Sequence, residues 1–335
     1  MQKNLFRKGI ITGIIVMFII GGLNSNIGAS DFGPSSMGTT WYIDDDCPCP
    51  GDGSLSDPFC AIWQGIENAT SGDVLSIASG EYYENIIIDK KLTLQWHGSD
   101  ICGTDTGIPI INGGYKGCVI EIHASEVQIR EIHITASGKT GRDAGIYLEG
   151  DFKHIKILDS KITDCFYGIW SHRVRCIDTL TYHEFSRNTI DNIEAQGILA
   201  SFSDEMSILN NKITNCGYCG IFLHHCNKCL IEGNTCENNR HGIGIDVGVD
   251  NDITLNTLQN NIQWGFFIVS GNANTIKSNN FEKNGEEGQA TFVEYCIFNG
   301  NNWINNYWGT PSFIIHIIWG VLRLSFIDIP WPRID

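Results

Sequence analysis

The segment Asn215 to Cys229, NCGYCGIFLHHCNKC, holds two C-x-x-C pairs, Cys216/Cys219 and Cys226/Cys229, with His224 and His225 between them. Thiols paired at this spacing are a strong sequence signature of a tetrahedral zinc site. Other groups with chemical potential are spread along the chain. Asp44, Asp45 and Asp46, with Asp246 and Asp250 far downstream, are candidate calcium ligands, because calcium takes hard oxygen donors, although neither group has the spacing of a calcium loop. His172, Arg173, Arg175 and His183 form a candidate ligand-binding loop, whose donors suit carboxylates and sugar hydroxyls. Cysteines number 13, so at least one is unpaired within a single chain, and a local bridge such as Cys47 with Cys60 is open to a secreted protein.

The elements that must position these groups are repeats. Glycines at 145, 168, 197, 220, 242, 265 and 288 recur at a period near 23 and are mostly followed by apolar residues. Asparagines at 188, 211, 234, 256 and 279 keep step with them. Inside each unit the apolar positions alternate as in a strand: Ile155-x-Ile157 aligns with Met206-x-Ile208 and with Cys229-x-Ile231. Short strands at this period imply a solenoid of three-stranded coils, a parallel β-helix, with like residues stacked ~4.8 Å apart. Asn188, Asn211, Asn234, Asn256 and Asn279 are then a structural ladder in a bend. Gly168, Gly197, Gly220, Gly242 and Gly265 are read as positions that need a backbone angle other residues resist. The interval from Gly168 to Gly197 is longer than the others, so an inserted loop is expected there, carrying His172 to His183.

The flanks differ from the repeats. Lys3, Arg7 and Lys8 precede an apolar run from Ile10 to Ile20 and the small residues Gly28-Ala29-Ser30, which reads as a signal peptide over 1–30 and a protein secreted or held at the cell surface; a retained anchor is the alternative. Residues 31–100 read as an N-terminal cap and first coils, with a strand at Trp41-Tyr42-Ile43 and an amphipathic helix in FCAIWQGIENA. The repeats occupy 120–300, and 301–335 read as an aromatic C-terminal cap that contains no membrane span. Asn68-Ala69-Thr70 is a glycosylation sequon.

The run from Gly51 to Leu94, with G-x-G-x-x-x-x-P-F, I-x-x-G-I, S-G-D, G-x-Y-x-E-N and K-x-L-T-L, resembles the start of secreted right-handed β-helix proteins of the pectate-lyase-like superfamily, in its NosD-like, carbohydrate-binding and sugar-hydrolase (CASH) branch. The repeats and the closing Asn305-Asn306-Tyr307-Trp308-Gly309 are similar to archaeal surface proteins of this group, especially from methanogens. The resemblance implies an all-β, right-handed parallel β-helix and a glycan-related role. Enzyme motifs of the group are missing: there is no N-T-D, G-H-G or R-I-K, and Tyr167-Gly168-Ile169-Trp170-Ser171-His172 stands where an alginate epimerase would show Y-G-x-D-P-H.

In this frame the two C-x-x-C pairs lie at the two ends of a strand, up to roughly 20 Å apart if extended, whereas four thiolates on one zinc each lie ~2.3 Å from it. The narrower expectation is a small surface metal site of His224 or His225 with Cys226, while Cys236 shares the core column of Ile213, Leu258 and Phe281. The net charge of -16 disfavours nucleic acid as a partner. The leading expectation is a noncatalytic surface β-helix that binds polysaccharide or envelope glycan for adhesion or envelope structure. Alternatives are a lyase, hydrolase or epimerase acting on uronic-acid-type glycans and, as the NosD-like resemblance implies, an extracytoplasmic copper-handling protein. No cofactor is expected, with calcium or a transition metal kept open.

Overall fold

The computed structural model describes residues 38–173, 180–285 and 300–307, together with the backbone of the strands Phe292–Glu294, Ile317–Leu324 and Ile327–Ile334. The chain divides into Met1–Ser36 and Met37–Asp335. The signal-peptide reading and Arg175 lie outside the described residues.

One coil shows the plan. Lys156–Leu158 joins sheet A, Lys161–Cys165 joins sheet B, and Tyr167–His172 joins sheet C, after which Glu184–Ser186 re-enters sheet A one coil further on. Among the described residues sheets B and C each hold nine strands and sheet A eleven, so nine complete coils stack, with an extra sheet A strand at either end. All pairing between coils is parallel and in register: Ile157 faces Phe185, Ile162 faces Ile190, and Ile169 faces Ile198. Alternation sends these isoleucines inward, where they form one continuous core with Ile208, Ile231, Leu258 and Phe281. The immediate neighbours of these residues on each strand point to the outer face. The expected column holds, since Cys236 pairs with Ile213 on one side and Leu258 on the other.

Corners carry the polar part of the interior. At the A–B corner the residue before each ladder position has positive φ, from 51° at Asp159 to 67° at Gly233, which turns the chain and leaves the next amide pointing along the axis. That amide needs an acceptor in a place closed to water. The side chain one coil on supplies it: Asn188 N–H donates to Asn211 Oδ1 at 2.9 Å, Asn211 to Asn234 at 2.9 Å, Asn234 to Asn256 at 2.9 Å and Asn256 to Asn279 at 2.9 Å. Each Asn Nδ2 donates in turn to a carbonyl of the coil before, as Asn234 does to Ile208 at 2.8 Å.

Two further ladders stand at the other corners. Asn239, Asn261 and Asn284 line the B–C corner, and Asn251, Asn274 and Asn301 line the C–A corner. In earlier coils these columns hold Cys165, Ile193 and Cys216, and Ile155, His183, Met206 and Cys229.

The glycine column corrects an expectation. Gly145, Gly168, Gly197, Gly220, Gly242 and Gly265 are not among the positive-φ glycines. A Cβ there would instead meet the carbonyl oxygen of the next column glycine, as at Gly168 and Gly242, or inward side chains such as Ile213 at Gly197 and Asn284 at Gly265. Close approach between coils selects glycine at these positions, with no demand on φ.

The N-terminal end is closed as expected. Thr40–Ile43 pairs with Val74–Ile77 and starts sheet A, and the helix Ile62–Asn68 lays Ile62, Gly65 and Ile66 over the core. Glu84 caps the helix, accepting from Ile62 N at 2.7 Å and Trp63 N at 2.9 Å, where a carboxylate also complements the helix dipole. The bridges are Cys47–Cys102 and Cys49–Cys60, so the pairing of Cys47 with Cys60 is replaced: the loop after Trp96 folds back onto the cap and delivers Cys102. Ile317–Leu324 and Ile327–Ile334 form an antiparallel hairpin in the tail.

Replacing Asn234 by Ala removes the acceptor of the Asn211 amide. Because each buried group left unbonded costs about 1–3 kcal/mol, chemical denaturation is expected to show a loss of about 2–4 kcal/mol, whereas Lys212→Ala on the exposed face of sheet B stays within about 0.5 kcal/mol.

Candidate functional site

The sulfurs of the two C-x-x-C pairs do not point to one place. Cys226 and Cys229 lie inside the C–A corner, fully or almost fully buried, and each thiol donates to the carbonyl two residues back, His224 O at 3.4 Å and Asn227 O at 3.5 Å. Cys216 does the same toward Thr214 O at 3.6 Å in the B–C corner. Cys219 is on the other side of the sheet, packed under Tyr218, Phe222 and Phe267 on the outer face of sheet C. Burial raises the Cys216 and Cys219 thiols well above their ordinary range and pushes Cys165 up to about 11. Cys216, Cys226 and Cys229 therefore behave as small apolar corner fillers held by weak hydrogen bonds to carbonyls, and Cys219 as a small apolar residue under the outer aromatic cluster.

The other sequence candidates can be placed one by one. Cys226 points into the core while the His224 and His225 rings are outside, so the three do not converge; His224 Nδ1 meets Asp246 Oδ2 instead, at 3.0 Å. Arg173 is 4% exposed and ion-paired through Nε to Asp151, and His183 is 3% exposed with Nδ1 accepting from Ile155 N at 3.2 Å. Those two hold a corner together, and His172 alone of the described loop candidates faces out from sheet C. Asp44 is buried in the N-terminal cap, accepting from the amides of Asp46, Ile101 and Cys102 at 2.9, 2.9 and 2.7 Å. Asp45 accepts from Glu81 N at 3.2 Å, and Asp46 is exposed. Asp246 and Asp250 lie in late coils, so the five aspartates make no single site. Among the described residues, the one grouping with metal-ligand spacing is Asp44, Cys47 and Cys102, whose two sulfurs are bonded to each other. Asn68 is exposed at the helix end, its amide donating to Gln64 O at 2.9 Å.

The arrangement with chemical potential is the outer face of sheet C. Register stacks Tyr147, Trp170, Leu199, Phe222, Gly244 and Phe267 in one outward column. Tyr147 and Trp170 rings lie 5.1 Å apart, and Phe222 and Phe267 lean together over Gly244 at 6.0 Å. Beside this runs a column at the strand ends: Glu149, His172, Ser201, His224 and Asp246. Phe202 walls that column, T-shaped to His224 at 5.6 Å and stacked on His225 at 4.8 Å.

Electrostatics on this face are local. Arg142 Nη1 pairs with Glu149 Oε1 at 2.8 Å and reaches Tyr147 Oη at 3.5 Å. Burial and the Glu149 charge push the Tyr147 phenol up to about 12. Burial lowers His172, so its imidazole is neutral at pH 7. His241, 2% exposed, stacks on Trp264 at 4.7 Å and is held down to about 4 by burial and Arg240. Among the described residues, two buried nitrogens on this face, Trp170 Nε1 and His241 Nδ1, have no hydrogen-bond partner.

Sequence reasoning had not singled out these columns, yet the repeat contains them. The aromatic column is the second residue after each repeat glycine and the ionisable column the fourth, as in Gly168, Trp170, His172 and Gly220, Phe222, His224.

With this geometry the chain falls in the class of parallel β-helix proteins. The family described as "Right handed beta helix region" matches residues 144–311, half of the sequence, and the chain belongs to that family. Three solved structures share the fold: XylC in complex with xylose, at TM-score 0.65 and 11% identity over 85% of this chain and 72% of that one; pectate lyase Pel9A, at 0.53 and 11% over 81% and 78%; and a rhamnogalacturonan lyase, at 0.51 and 12% over 80% and 87%. No curated protein matches. Among the described residues no helix is long and apolar enough to cross a membrane.

Besides His172, burial holds three histidines far below the ordinary value: His133 and His241 near 4 and His183 near 3. Their folded values lie below the ~6.5 of an unfolded chain, so between pH 6.5 and about 4 the unfolded state binds more protons and stability falls with pH. Denaturation midpoints are expected to drop steadily from pH 7 to 4.5, by up to about 1.4 kcal/mol per pH unit for each histidine, and His183→Asn, which keeps an acceptor for the Ile155 amide, is expected to flatten the slope.

Proposed function

We propose that the protein binds an extended polysaccharide laid along the solenoid axis on the outer face of sheet C. The observation that carries this reading is the pair of orphaned nitrogens, Trp170 Nε1 and His241 Nδ1, in an otherwise aromatic surface. Buried polar groups nearly always have partners, and a ligand rich in hydroxyls supplies both a donor and an acceptor. The two lie three coils apart, roughly 14 Å. Aromatic faces recurring in four of six successive coils favour a ligand that repeats as well, and sugar C–H faces stack on aromatic rings as apolar surface. The N-terminal apolar segment and the two disulfides support a secreted or cell-surface location, where bridges persist.

A catalytic reading on uronic-acid-type glycans has one specific observation in its favour: Arg142, Tyr147, Glu149 and His172 cluster at one end of the aromatic column, giving a cation for a carboxylate beside groups able to move a proton. The same binding surface serves an adhesin or an enzyme.

The test is a panel of neutral and uronic-acid polysaccharides, read for affinity by calorimetry and for turnover by new unsaturated or reducing ends. Trp170→Ala is expected to weaken binding of the preferred glycan at least tenfold, about 1.4 kcal/mol, with the fold unchanged by circular dichroism. Full affinity in Trp170→Ala and in His241→Ala together would overturn the assignment of the site.

A further inference from the structure

Sheet C places a serine, a histidine and an aspartate in consecutive coils at the same strand position: Ser201 faces His224, and His224 faces Asp246. His224 Nδ1 meets Asp246 Oδ2 at 3.0 Å, on the side of the later coil. With Nδ1 taken by Asp246, the second ring nitrogen, Nε2, has no hydrogen-bond partner among the described residues, and the neighbour of His224 on its other side is Ser201. The serine is one coil away, ~4.8 Å between backbones. Among the described residues the Ser201 hydroxyl has no hydrogen-bond partner, while the similar Ser203, turned inward, bonds to Ser171 and to the Ser201 carbonyl. Beyond Ser201 stands a second histidine, His172, with Glu149 behind it. Ser201 is therefore flanked by two outward imidazoles, and Phe202 and Leu199 screen it to 7% exposure.

We propose that Ser201, His224 and Asp246 are a nucleophile, base and orienting acid for acyl-ester hydrolysis, with His172 as the donor to the developing oxyanion. Triads are recognised by the roles of their members, and serine–base hydrogen bonds are often loose before substrate arrives. Ser201 Oγ attacks the ester carbonyl carbon and His224 Nε2 takes its proton. The carbonyl oxygen becomes an oxyanion, to which the neutral His172 donates an N–H. Collapse breaks the bond to the alcohol, which leaves with the proton from His224. Water then attacks the acyl-serine, gives one proton to His224, and releases the carboxylic acid as Ser201 Oγ takes the proton back. The inputs are ester and water, and the outputs are alcohol and acid.

The substrate class follows from the surroundings. The column lies directly beside the aromatic row, so an acyl group on a sugar bound there points at Ser201, and O-acetylated polysaccharide is the expected ester. Only this assignment of the alcohol rests on the polysaccharide reading. The chemistry at Ser201 does not depend on it.

The experiment uses the full secreted chain in two arms. In the first, the probes are a fluorophosphonate and p-nitrophenyl acetate. Wild type is expected to carry the phosphonyl adduct on Ser201 by peptide mass spectrometry and to release p-nitrophenol with a burst. Ser201→Ala is expected to lose labelling and at least ~10³-fold in kcat/KM, Asp246→Asn ~10²–10⁴-fold, and His172→Ala ~10²-fold mainly in kcat. Thermal melts of the variants confirm the fold. Labelling elsewhere, or unchanged turnover in a folded Ser201→Ala, overturns the proposal, as does a wild type that neither labels nor turns over. In the second arm, acetylated and chemically deacetylated xylan are compared for binding and acetate release. Acetate release with no dependence on Trp170 would leave the triad standing and sink the polysaccharide surface, whereas glycan binding with no ester chemistry in either arm would do the reverse.

Discussion

Backbone amides that point along the axis at each corner must find acceptors inside a shell that water does not enter, and the rest of the solenoid depends on how they are met. A side-chain oxygen from the next coil is the solution at Asn211, Asn234 and their neighbours, and it works only when both coils have the same length and phase. That requirement pins the register of all three sheets at once. Once register is fixed, a residue's number within the repeat determines its height, face and neighbours. The core column of Ile213, Cys236 and Leu258 and the outer column of His172, Ser201 and His224 are products of the same phase lock.

Much of this is visible in the sequence because translation along one axis turns periodicity directly into contact. The ladder from Asn188 to Asn279 could be read because five successive coils repeat it. The ladders at Asn239 and Asn251 could not, since the same columns hold Cys216 and Cys229 in the coils before, and a column that changes residue type halfway has no visible period. His183 shows the same limit. Its loop neighbours suggested a ligand, but it occupies an interior corner, where its Nδ1 does for Ile155 what an asparagine oxygen does further on. Outside the repeat there is no such frame. The partner of Cys47 was not legible for that reason, because the loop that brings Cys102 to it aligns with nothing else.

The functional face was legible in part. Aligning on the repeat glycine predicts which residues share a column, so Tyr147, Trp170 and Phe222, or Glu149, His172 and His224, can be listed without a structure. What the alignment does not show is which atoms are satisfied. That Trp170 Nε1 and His241 Nδ1 are left over, and that His224 turns its Nδ1 toward Asp246, are matters of rotamer and neighbour. The zinc motif failed for the same kind of reason: spacing of cysteines says nothing of the side of the sheet, and Cys219 stands across the sheet from Cys216, Cys226 and Cys229.

The change of corner chemistry along the axis has a thermal consequence. Early coils fill the B–C and C–A corners with Cys165, Ile193, Ile155 and Met206, and late coils with asparagines. Apolar contact weakens on cooling, whereas hydrogen bonding between amides does not share that dependence. One apolar core runs through both halves, so the difference lies in the corners alone: cooling weakens the apolar corners near the N-terminal cap more than the asparagine corners of the late coils.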